Sequence, residues 1–131
     1  MKLADCRDAY YDYSAKASQA TRVLALGGIA VAWVFRAGEG EACRLPPGII
    51  LPLVFFGLSL MLDLLHAIAG TAAWGIYARF REKTGTSETA EFQTPAWLNW
   101  PLLAFFWLKI IAVFIGHIFL VMWLWGRLLA A

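Results

Sequence analysis

The feature that most constrains this chain is the run from Ile49 to Tyr77, in which the only ionisable side chains before Tyr77 are Asp63 and His66. Its first part, Ile49 to Leu62 (IILPLVFFGLSLML), carries no ionisable group at all. About 20 apolar residues at 1.5 Å rise cross a ~30 Å hydrocarbon core, so the run predicts a transmembrane helix with an acid inside it. Asp63 and His66 are three residues apart and share a face, and Ser59 and Gly70 extend that stripe a turn to either side. The rest of the chain has to accommodate this polar stripe.

Composition agrees with the class. The 131 residues are 61% hydrophobic, with a mean hydropathy of +0.65, which predicts a single integral membrane domain. A net charge of +2 is too mild for a nucleic-acid surface, and no nucleic-acid partner is expected. There is no GxSxG, HExxH, Walker loop or dinucleotide fingerprint, so the chain is not expected to be an enzyme on its own. Cys6 and Cys43 lack CxxC spacing, and the topology below sets them on opposite sides of the membrane, which argues against an internal disulfide. Asp5, Asp8 and Asp12 before the first apolar run, with no A-x-A site after Phe35, argue against a cleaved signal peptide, so Met1 is expected on the mature chain.

In chain order the sequence predicts an all-α membrane protein with three spans. Residues 1–22 read as a cytoplasmic leader helix running directly into span 18–36. The apolar run Val23 to Phe35 is short, so this span requires Ala17 to Thr21 at the interface and Arg22 snorkelling towards it. Ser14, Ser18, Ala25, Gly28 and Ala32 fall on one side, a small-residue face that lets membrane helices approach closely. Arg36 to Gly48 (RAGEGEACRLPPG) reads as a short external loop. Pro46 and Pro47 then start the second span, 49–71, which continues as a cytoplasmic overhang over 72–83. Residues 84–98 form a cytoplasmic loop, and the third span covers 101–125.

Lys and Arg placement sets the expected orientation. Lys2, Arg7, Lys16, Arg22, Arg79, Arg81 and Lys83 fall on one side, against Arg36, Arg44 and Arg127 on the other. This puts the N-terminus in the cytoplasm and the C-terminus in the periplasm of a bacterial inner membrane. The aromatic belts agree, with Trp74, Tyr77, Trp97 and Trp100 at the inner interface and Trp33, Phe35, Trp123 and Trp125 at the outer one.

The strongest chemical signal is the intramembrane polar set Asp63, His66, Lys109 and His117. Asp63 and Lys109 each lie roughly two turns from the inner end of their span, so they match in depth. A charge near the bilayer centre costs about 2.5–3.5 kcal/mol on insertion scales, and an opposite charge at equal depth is the expected compensation. Lys109, Ala112 and Gly116 form a stripe, with His117 off that line. The set admits four readings: a structural pair that fixes helix register, an ion-conducting or sensing group, histidines ligating haem, or a metal site, for which Asp63 and His66 lack a third ligand.

Two stretches carry resemblances. Tyr10 to Phe35 (YYDYSAKASQATRVLALGGIAVAWVF) resembles the opening of small, mostly uncharacterised bacterial membrane proteins with a Tyr-x-x-Ser-x-Lys-x-Ser leader before a GIA-x-x-W-x-F span. That type is associated with mobile or anti-phage defence loci, and the resemblance implies a membrane effector. His66 to Tyr77 (HAIAGTAAWGIY), with three spans and an inside N-terminus, is similar to the haem-bearing anchor subunits of succinate dehydrogenase. That similarity implies haem b on His66 and an Asp-Tyr pair near the inner surface; Tyr77 is present here with no Asp before it.

The sequence therefore predicts a membrane subunit without its own cofactor that forms homo-oligomers, works with a cytosolic or membrane protein partner and acts as a channel-like effector. The alternative is a haem, quinone or purely structural anchor for a peripheral enzyme. The orientation is tested by fusing a reporter after Ala131, which should be periplasmic. In intact cells Cys43 should react with an impermeant thiol reagent while Cys6 does not, and labelling of Cys6 alone would reverse the topology.

Overall fold

The computed structural model describes residues 3–36, 44–85, 87, 91 and 93–131; within the first helix the side chains are described from Tyr11 on, Tyr13 excepted. Cys43 and the side chain of Cys6 lie outside the described residues, and so does the expectation about their pairing. Three long helices account for most of the described chain: α1 (Leu3–Val34), α2 (Pro47–Lys83) and α3 (Trp100–Ala130). A short 3-10 turn, Ala96–Asn99, leads into α3, so the end of the expected 84–98 loop is ordered as a helical turn. The leader and the first span are one uninterrupted helix, as a sequence without Pro over Leu3–Val34 allows. Pro47 and Pro101 sit in the first turns of α2 and α3, where a missing amide donor leaves no helical bond unmade.

Each helix has a stretch long and apolar enough to cross a membrane: Ser14–Val34, Pro47–Lys83 and Ala96–Ala130. The outward faces are apolar, as with Leu26, Val54, Met61, Ile111, Phe114 and Ile118, all exposed. This inverts the soluble pattern, in which large apolar side chains face inward.

The inward faces follow a seven-residue repeat. On α1 the stripe is Ser14, Ser18, Thr21, Ala25, Gly28 and Ala32, continued by Phe35 just past the helix, with spacings that alternate between four and three. On α2 it is Ile49, Pro52, Phe56, Ser59, Asp63, His66 and Gly70, with the same alternation. Lys109, Gly116 and Trp123 mark the matching stripe on α3. A mean spacing of 3.5 residues keeps one stripe facing its neighbours along a left-handed helical bundle.

Three layers of contact run across the bundle, and their order defines the up-down-up arrangement. At one end Trp123 of α3 stands against Gly48 at the start of α2 and meets Phe35, just past α1, edge-on at 5.2 Å. In the middle the fully buried ring of Phe56 fills a slot between Gly28 of α1 and Gly116 of α3, with His117 edge-on at 4.8 Å. The third layer joins Ser18 and Arg22, Asp63 and His66, and Lys109. The α2–α3 contact is the most extensive, and α1 packs on both.

The two glycines of the middle layer are required by space. A Cβ on Gly28 would run into the Phe56 ring, and one on Gly116 would meet the same ring from the other side, so the ring cannot yield to either. Gly27, one residue away, faces open space. Gly28→Ala should therefore lose about 1–3 kcal/mol of stability by overpacking. Gly27→Ala should be neutral or gain up to about 1 kcal/mol from helix propensity. Thermal unfolding in detergent checks this, and equal behaviour of the two variants would contradict the slot.

Candidate functional site: an intramembrane charge network

The site is built around Lys109, whose side chain has no exposed surface. Its seven-residue spacing from Gly116 and Trp123 turns it into the bundle, where Nζ lies 2.6 Å from Asp63 Oδ1, 2.5 Å from Ser18 Oγ and 3.3 Å from His66 Nδ1. An ammonium has three N–H donors and no acceptor, so these three acceptors satisfy it completely. Because the ammonium donates, His66 Nδ1 accepts, and the ring proton of that tautomer is on Nε2.

Asp63 is shared between two cations. Oδ1 takes Lys109, with Ser18 Oγ at a longer 3.4 Å. Oδ2 takes Arg22 of α1, from Nε at 2.8 Å and from Nη2 at 2.7 Å. The Asp63 side chain is 15% exposed and that of Arg22 55%, so the acid is enclosed while the guanidinium reaches the outer surface of the bundle. Arg22, Asp63 and Lys109 supply one charged residue from each helix, and they carry one formal positive charge in excess. Ser59, a turn from Asp63 on the same stripe, donates to the Lys109 carbonyl at 2.9 Å and fixes α2 against α3 in a buried contact.

The structure thus brings Asp63, Lys109 and His66 together and leaves His117 apart. Lys109 and His117 are eight residues apart on α3, a rise of about 12 Å. The His117 ring is at Phe56, and its Nδ1 donates to the Val113 carbonyl at 2.9 Å. Ala25, Gly28, Ala32 and Gly116 are all buried between the helices of the one chain. The small-residue face of α1 is occupied by intrachain packing.

Arg22 departs from the sequence reading, which has it snorkelling to the interface. It sits 12 residues, about 18 Å, before Val34, close to the level of Asp63, so pairing inward is available without leaving the span. Ser18, read only as a small packing residue, accepts from Lys109. The signal for both was the four-residue spacing of Ser14, Ser18 and Arg22, which puts them on one stripe.

The two histidines do not form a haem-ligating pair. The two span histidines belong to different layers, His66 beside Lys109 and His117 beside Phe56, and do not converge on one site. Among the described residues no group of three or more His, Cys, Asp or Glu gathers as metal ligands would.

The fold and site together define an all-helical chain, with three helices each long and apolar enough to span a membrane, tied by one charge network centred on the buried Lys109. No family model, curated protein or solved structure matches the chain.

Removing one partner of a buried pair strands the other, at a cost of about 3–5 kcal/mol, whereas removing both is often nearly neutral. Asp63→Asn and Lys109→Met should each lower the yield of folded protein, and the double variant should recover much of it. Arg22→Gln should cost less, since its side chain is largely exposed. Normal yield and stability of both buried single variants would show that the pair does not form.

Proposed function

We propose that this chain is a subunit of an oligomeric, channel-like membrane effector, and that the Arg22–Asp63–Lys109 link holds its closed state. The observation that carries the reading is that one charged residue from each helix meets in a single network, buried at Lys109, enclosed at Asp63 and open to the outer surface at Arg22. Well-packed apolar residues would hold three helices as firmly as a buried ion pair, and often more so. Intramembrane charges are therefore best explained where a state has to be set and released. A ligand or partner that draws off one of the three charges would free all three helices together.

Conduction, in this reading, requires several copies. The seam of a single chain is filled by Ile49, Pro52, Phe56, Ser59 and Lys109, all fully buried, so a path would form between copies and not through one. The leader end of α1 and the basic end of α2, with Arg81 and Lys83 in its last turn, receive the signal from a cytosolic partner. The orientation is N-terminus in the cytoplasm and C-terminus in the periplasm of a bacterial inner membrane. The likeness of Tyr10 to Phe35 to small membrane proteins of defence loci makes anti-phage defence the proposed setting.

The test uses the repaired double variant, Asp63→Asn with Lys109→Met, in liposomes loaded with potassium and an ion-sensitive dye. Loss of a lock worth about 1.4 kcal/mol raises the open fraction about tenfold, so the double variant should leak well above the native protein. A double variant that folds, stays as tight as native and still works in cells would make the network structural only.

A further inference from the structure

A half-open cavity of about 460 Å³ lies beside the charge network, in the angle between α1, α2 and the start of α3. His66 belongs to both: it lines the cavity, and its Nδ1 is 3.3 Å from Lys109 Nζ. Tyr11, Ser14 and Asn99 supply the other polar side chains of the lining. The opposite wall is apolar, formed by Trp74, Leu102, Leu103 and Phe106. Pockets of roughly 300–1,000 Å³ with mostly apolar walls and a few convergent polar groups are the usual form of small-molecule sites.

Charge decides what such a site would take. Among the described residues its lining includes no acidic side chain, and directly behind His66 stands Lys109, which shares the Asp63 carboxylate with Arg22 further along α1. Lys109 has no exposed surface, so its field is weakly screened there, and with the network one positive charge in excess an electron-rich group is favoured at the His66 end. The wall of Leu102, Leu103 and Phe106 runs from there along α3 and suits a hydrocarbon chain.

We propose that this cavity binds a single-chain amphiphile with an oxyanion head, a carboxylate or a phosphate. The head sits among His66, Ser14 and Asn99, and the chain lies along Leu102, Leu103 and Phe106. The inference stands on the cavity and the charge balance, independently of whether the chain forms an effector.

The probe is a photoactivatable diazirine analogue of decanoate, added to the full chain in a neutral maltoside detergent and mapped by mass spectrometry. The label should concentrate on residues 66–74 and 99–106. Decanoate or decyl phosphate should displace it roughly tenfold better than methyl decanoate, and the stronger of the two oxyanions identifies the head. Arg22→Gln removes the excess charge from outside the cavity and should narrow that preference towards one. Leu103→Trp should fill the cavity and reduce labelling; if that variant does not fold, the map on the native chain decides. Label scattered over the outward faces, or a neutral ester that competes as well as the acid, would overturn the site.

Discussion

The structure depends on one ammonium group being fully satisfied in a place where water cannot help it. Lys109 has no exposed surface, and its three donors find Asp63, Ser18 and His66, from two other helices. An unpartnered charge at that depth would be expelled or neutralised, so the helices can approach only in the register that supplies all three acceptors. Arg22 closes the arrangement from α1 by taking the second oxygen of Asp63. Register and depth of the whole bundle follow from these bonds, because a seven-residue repeat alone would permit a slip by one repeat.

Packing contributes the remaining specificity. Between helices in lipid the hydrophobic effect offers little, and close van der Waals contact takes its place. Phe56 between Gly28 and Gly116 is such a contact, since the two missing side chains leave the width of one ring. The edge-on Phe35–Trp123 pair over Gly48 closes the far end in the same way. Polar layer, aromatic slot and aromatic end-plug are spaced by seven residues on α3, so a single rotation of that helix satisfies all three.

Part of this was legible in the sequence. The three helices follow from apolar run length, and equal depth is enough to suggest Asp63 with Lys109. Arg22 was not legible because the apolar run after it is short. That makes a charge at its edge look interfacial, and only the packing of α1 against α2 shows that it turns to Asp63. Ser18 was hidden by its size, which suits close packing as well as hydrogen bonding. The glycine slot was hidden because Gly27 and Gly28 are equivalent in composition, and only the rotation of α1 tells which one faces a ring.

The central claim is that Lys109 and Asp63 are in direct contact inside the helical bundle. Solid-state NMR on the protein in lipid, with ¹⁵N in the lysine side chains and ¹³C in the aspartate carboxyls, measures that contact through the dipolar coupling between them. A pair with Nζ 2.6 Å from Oδ1 predicts strong dephasing of one buried lysine signal, lost in Asp63→Asn. A Lys109 signal with no measurable coupling to any carboxyl carbon would contradict it.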